Sequence, residues 1–178
     1  LYTSKDSLDF GVREVSYPSD TVSFTLTSQG QDTLLVNNIQ LPNSQFQLLT
    51  NISYPFKLGY NQSTVLKFRF TPSVAAVVRD SMTIFSNDSQ TPQKKILLIA
   101  KGFFINPAVA GTIYGITGNQ SEGAFINIDK STGAGSLIGI SGYSDITSIG
   151  IRPSDNITFG ISAGSLTSKL FRVNSTLG

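Results

Sequence analysis

Apolar and polar residues alternate in short runs through the first part of the chain. From Thr21 to Thr27, Val22, Phe24 and Leu26 fall on one face while Ser23, Thr25 and Thr27 fall on the other. Val65 to Phe70 repeats the pattern, with Leu66, Phe68 and Phe70 inward and Lys67 and Arg69 outward. A period of two with one apolar face predicts a half-buried antiparallel strand. Leu34–Leu41 and Ser81–Phe85 predict further, less regular strands. The continuous apolar run Ile96 to Ile99 predicts a strand buried deep in a sandwich. Turn-forming clusters separate these runs at Ser28–Asp32, Pro42–Ser44, Gly59–Asn61 and Ser86–Ser89.

About seven short strands with no helical periodicity predict an all-β, immunoglobulin-like sandwich over residues 1–105. The Cys–Trp–Cys core of antibody domains is missing, because the chain has neither residue type. The order of its motifs carries a resemblance. Leu8-Asp9-Phe10-Gly11 opens the unit, and Phe70-Thr71-Pro72 follows the central strand. Ile84-Phe85-Ser86-Asn87-Asp88 then leads through Pro92 to a last strand ending Ala100-Lys101-Gly102. This arrangement resembles Hydin-type (ASH) domains and the bacterial choice-of-anchor D modules, and more distantly major sperm protein and PapD. The resemblance implies a module of a multidomain scaffold, with no shared catalytic residues to carry over. Locally, Leu8 and Phe10 read as core residues, Gly11 as a tight exit from the first strand, and Pro72 as a strand end.

Beyond Asn106-Pro107 glycines become dense and large apolar clusters thin out, which predicts a second region over residues 106–178. Thr112–Thr117 is echoed by Ile157–Ser162, and Phe125–Asp129 by Leu170–Asn174. Both echoes lie 45 residues apart without a gap, and Gly133 and Gly178 keep the same register. An all-β period of this length is that of propeller blades. The text of the repeat, aromatic-Gly-Ile and then Asp-Lys-Ser-Thr-Gly, resembles that of bacterial secreted propellers. One and a half repeats are expected to be the cut-short start of a longer array.

Composition narrows the chemistry. Lys and Arg exceed Asp and Glu by two, and the only adjacent basic pair is Lys94-Lys95, so a nucleic-acid partner is not expected. No apolar run is long enough for a membrane helix. Without His or Cys, the commonest general base, thiol nucleophile and transition-metal ligands are missing. Most of the acidic residues sit beside Ser, Gly or Asn in turns, as at Asp6, Asp32, Asp88, Asp129, Asp145 and Asp155. The chain is therefore expected to be no enzyme and to need no cofactor or metal. Asp129–Gly133 has a partial likeness to a calcium loop but lacks its later acidic ligands, and reads as a turn. Asn-x-Ser/Thr sequons occur at Asn51, Asn61, Asn87, Asn119, Asn156 and Asn174, a modest excess over chance that Asn-Ser turn chemistry explains in part.

With 13% charged residues and 41 Ser and Thr, the surface is polar but weakly charged, as in exported β-modules. The expected role is a structural or adhesive module of a secreted or cell-surface multidomain protein, with a protein partner. A glycan partner, as for an accessory module of a secreted enzyme, and a ciliary or centrosomal scaffold are the alternatives. Tyr54, Phe56 and Tyr60, in or near loops, are the candidate contact residues. Arg13, Glu14 and Lys57 are expected to blunt open sheet edges.

Overall fold

The computed structural model of the chain describes residues 1–118, 122–163 and 167–176. The sequon at Asn119 and the register position Gly178 lie outside the described residues. Every regular element among the described residues is a β-strand, and no helix is long and apolar enough to cross a membrane. The chain divides into two compact units, Leu1–Phe103 and the region from Phe104 onward.

The first unit has nine strands: β1 (Tyr2–Thr3), β2 (Ser7–Glu14), β3 (Val22–Thr27), β4 (Leu34–Gln40), β5 (Phe46–Leu48), β6 (Phe56–Leu58), β7 (Ser63–Phe70), β8 (Val77–Ser86) and β9 (Gln93–Phe103). They form a four-stranded sheet, β1-β3-β7-β5, and a five-stranded sheet, β2-β9-β8-β4-β6. All pairs are antiparallel except β2 with β9, which run parallel. The inward faces of both sheets supply one core, including Leu26, Leu66 and Phe70 from the first and Val36, Met82, Ile84, Ile96 and Leu98 from the second. Aromatic rings join the layers. Phe10 of β2 lies 5.4 Å from Phe46 and 6.1 Å from Phe70, whose strands belong to the other sheet. Phe24 and Phe68 stack at 5.7 Å within their own sheet. Such pairs add about 0.5–1.5 kcal/mol each beyond the area they bury. This is an immunoglobulin-like two-layer β-sandwich.

Two local readings change. Ile96–Ile99 is not buried throughout: Ile96 and Leu98 point into the core, while Leu97 is 36% exposed. β9 is an interior strand, between β2 and β8, yet only one face of that sheet meets another layer, so alternation reasserts itself along an apolar run. Gly11 does not end the first strand either. It takes φ +70° at a bulge between Asp9 and Val12, and its N–H donates to Asp9 Oδ1 at 2.8 Å. The strand then continues to Glu14. A glycine at a left-handed bulge lets the strand bend without breaking its pairing.

The second unit has β10 (Ile113–Ile116), β11 (Ala124–Ile128), β12 (Gly135–Ile140), β13 (Ile146–Ile151), β14 (Thr158–Ala163) and β15 (Ser168–Val173). They make two antiparallel three-stranded sheets, β10-β11-β12 and β13-β14-β15. The echo seen in the sequence is matched in the pairing. Ile113↔Ile128, Tyr114↔Asn127, Gly115↔Ile126 and Ile116↔Phe125 recur 45 residues on as Thr158↔Val173, Phe159↔Arg172, Gly160↔Phe171 and Ile161↔Leu170. The central glycine has a reason at both places. A Cβ on Gly115 would fall 3.1 Å from Ile126 Cγ1, and one on Gly160 would overlap the Phe171 ring. In each sheet the glycine makes room for the large residue paired with it.

The turn chemistry repeats too. Asp129 Oδ1 accepts the N–H and hydroxyl of Ser131 (2.9 and 2.6 Å) and those of Thr132 (2.8 and 2.9 Å). Asn174 Oδ1 accepts the N–H and hydroxyl of Thr176 at 3.0 and 2.9 Å. Both side chains imitate a backbone turn at the strand end.

Candidate functional site

The candidate contact residues flank β6, an edge strand that pairs with β4 alone. Phe56 opens the strand opposite Val36, is half-buried, and packs against the core. Tyr54, two residues earlier and joined to Pro55 by a cis peptide bond, is 38% exposed. Its ring lies 6.1 Å from that of Phe56 at 43°. Burial of part of the ring raises the Tyr54 hydroxyl above the usual phenol pKa, while a hydrogen bond with the Ile39 backbone opposes the rise. Tyr54 is thus a partly exposed ring packed beside a half-buried one, the kind of amphipathic surface that interfaces use.

Tyr60 belongs elsewhere. It lies beyond the other end of β6, in a turn where Gln62 N–H donates to the Gly59 carbonyl at 3.0 Å and Asn61 takes φ +58°. It is 59% exposed. Tyr54 and Phe56 therefore form one patch, and Tyr60 stands apart, because the strand between them carries the chain about 3.3 Å per residue. Lys57 does lie on this edge strand, and Arg13 and Glu14 lie on the opposite edge strand, β2. Arg13 is ion-paired with Asp20.

The acidic residues serve their own loops. Asp88 Oδ1 accepts the N–H groups of Gln90 (2.9 Å) and Thr91 (2.8 Å), and its other oxygen meets the terminal ammonium of Leu1. Those contacts, the ammonium first, lower its carboxyl to about 2. Asp129 is held below the usual carboxylate range by the Ser131 hydroxyl first and then by the other donors of its turn. Its Oδ1 is thereby committed to the turn. Asp155 accepts from Arg152 Nε at 2.9 Å and from the Ile157 N–H at 3.2 Å. Among the described residues, no three acidic side chains converge as metal ligands would.

Four of the sequon asparagines have structural roles. Asn87 Nδ2 donates to the Thr33 carbonyl at 3.1 Å while its Oδ1 accepts the Leu35 N–H at 2.8 Å, stitching two loops. Asn174 Nδ2 donates to the Phe104 carbonyl at 2.8 Å. Asn61 and Asn156 hold positive φ in turns.

Two features escaped the sequence reading. One is a cleft of about 370 Å³ between the Ser28–Leu34 and Asn87–Gln90 segments, which strand-wise reading treats as separate turns. The other is an apolar face on β14 and β15, made by Phe159, Ile161 and Leu170. The signal for it was present in the period of two within each echoed strand, which puts these three residues on one side.

No family model and no curated protein matches the chain. Among solved structures it is similar to a Porphyromonas gingivalis protein of unknown function, at 18% identity and TM-score 0.47, over 55% of this chain and 44% of that one. It thus spans less than half the length of that protein. It is similar to the ASH/PapD-like domain 7 of human CEP192, at 11% identity and TM-score 0.44, over 58% of this chain and 84% of that domain. The Escherichia coli chaperone DraB aligns with 97% of this chain and 94% of its own, at 10% identity and TM-score 0.42.

Proposed function

We propose that this chain is a non-catalytic structural and adhesive module of a secreted or cell-surface multidomain protein. In this reading the sandwich is akin to the choice-of-anchor D modules and offers a sheet edge to a protein partner. The second unit belongs to a propeller-like array. The observation that carries the reading is the Tyr54–Phe56 ring pair at the start of edge strand β6, a partly exposed aromatic patch whose Phe56 packs against the core. The commitment of Asp9, Asp88, Asp129 and Asp155 to their own turns supports a non-catalytic role. The low charge and the wealth of hydroxyl residues support export.

Binding of the chain to purified envelope proteins and to a polysaccharide panel tests this. A protein ligand lost on Tyr54→Ala, kept on Tyr60→Ala, with the melting temperature unchanged in both, is the expected result. Saturable binding to one polysaccharide, lost on Tyr54→Ala, would instead make the module a carbohydrate-binding one.

A further inference from the structure

Because the two sheets of the second unit share one pairing, each residue of β10 and β11 has a counterpart in β14 and β15. Comparing them reveals an exchange of burial. One face of the first sheet carries Tyr114, Ile116 and Phe125, and its counterpart carries Phe159, Ile161 and Leu170. Phe125 is fully buried, whereas Leu170 is 70% and Ile161 42% exposed. On the opposite face the order reverses. Thr158, Gly160, Ser162 and Val173 are buried, while Ile113, the counterpart of Thr158, is 46% exposed.

The cause is the way the two sheets meet. Gly118 and Gly123 continue the bulky face of the first sheet, by alternation from Ile116 and Phe125. A Cβ at Gly118 would lie 2.8 Å from the Ile146 carbonyl oxygen, and one at Gly123 2.5 Å from Ile146 Cδ1. Ile146 pairs with Ser162 and so belongs to the face of the second sheet that carries Thr158, Gly160, Ser162, Phe171 and Val173. At its Gly118–Gly123 end the Phe125 face of the first sheet therefore meets the Ile146 side of the second, the side on which Thr158, Gly160, Ser162 and Val173 are buried. The corresponding face of the second sheet carries Phe159, Ile161 and Leu170, with Arg172 opposite Phe159 where the first sheet has Asn127, and its Ile161 and Leu170 are exposed. Beside it Ser148 and Gly150, which pair with Ile161 and Phe159, leave a shallow trough of about 330 Å³. The Arg152 guanidinium stands 5.2 Å from the Phe159 ring centroid at its border.

We propose that the Phe159–Ile161–Leu170 face is the seat of a further 45-residue repeat of this same pattern. That repeat lays the Gly/Ser/Thr-bearing face of its own sheet on these side chains, as β13-β14-β15 does on the sheet before it. The inference rests on reading the second unit as part of an array, and is independent of the sandwich's partner.

The chain has no cysteine, so Leu170→Cys supplies a single thiol. Its alkylation rate is measured in the 178-residue chain and in the same chain lengthened by an in-register copy of residues 134–178. Leu137→Cys, at a position 63% exposed on the first sheet, is the control. Lengthening should slow alkylation at position 170 about tenfold or more, since reaction then needs local opening, and should leave position 137 unchanged. If hydrogen exchange shows the added segment folded while the thiol at position 170 stays as reactive as before, the seat is wrong and the array reading stands. An unprotected added segment would sink both. Slowing that grows with protein concentration in the unlengthened chain would give the face to a second copy instead.

Discussion

The two units reach a β-rich fold by opposite means. In the sandwich, two sheets close over one interior: Leu26, Val36, Leu66, Phe70, Met82, Ile84 and Ile96 have no exposed surface at all. In the second unit, Phe125 and Val173 are the large side chains buried as deeply, alongside the small Thr158, Gly160 and Ser162. The Thr158 hydroxyl is buried there without a hydrogen-bond partner. The sandwich is complete in two layers, as most domains are. In the second unit the Phe125 face of the first sheet instead closes on the Ile146 side of the second, while Ile161 and Leu170 of that second sheet stay exposed.

The largest expected effect tests the sandwich's closed core. Phe70→Ala should lower the stability of the first unit by about 3–5 kcal/mol, read as an earlier urea transition, with hydrogen exchange in β13–β15 unchanged. Equal loosening of both units would break the comparison. Next comes a matched pair in the second unit. Phe125→Ala should cost about 3 kcal/mol or more, whereas Leu170→Ala, at the equivalent position, should stay within about 0.5 kcal/mol. Similar losses would mean that burial is not what separates the two sheets.

Glycine at the pairing centre gives a smaller contrast. Gly160→Ala drives a methyl into the Phe171 ring and should destabilise by about 1–3 kcal/mol, while Gly115→Ala meets the Ile126 and Ile128 side chains at 3.1–3.3 Å and should cost less. The smallest effect is acid-dependent. Since hydrogen bonds depress the Asp129 carboxyl in the folded state, its contribution is present above the unfolded value of about 3.9 and is lost as pH falls through the lower folded value. Asp129→Asn, the residue that position 174 already uses, keeps the acceptor and removes the titration. The thermal stability of the variant's second unit should therefore fall less steeply than the wild type's below about pH 4, and parallel melting curves from pH 7 to 2 would contradict this.

How much could be read beforehand follows from the same contrast. β3 and β7 were legible because their own alternation decides which side is dry, and the repeat was legible because its residues are echoed. Phe125 and Leu170 show the limit. They hold matching positions in echoed strands, yet one is sealed and the other open, because a different sheet decides their burial. Leu97 makes the same point within the sandwich, where an apolar run hides a one-sided strand. In the candidate site, Tyr54 meets Phe56 from the bend before β6, a contact that strand alternation does not predict. Tyr60 could not be grouped or separated until β6 was placed between them.

The parallel pairing of β2 with β9 has a mechanical consequence. Tension between the two ends of the sandwich should first peel away β1, whose two residues hold to β3. The load then falls along β2 and β9 in shear, from Ser7↔Leu97 to Glu14↔Phe103, so their hydrogen bonds must give way together rather than one after another. Single-molecule pulling should record one high-force rupture for this unit, and a gradual low-force unzipping would contradict it. A segment built this way can be strung between other domains as a tether that resists stretching.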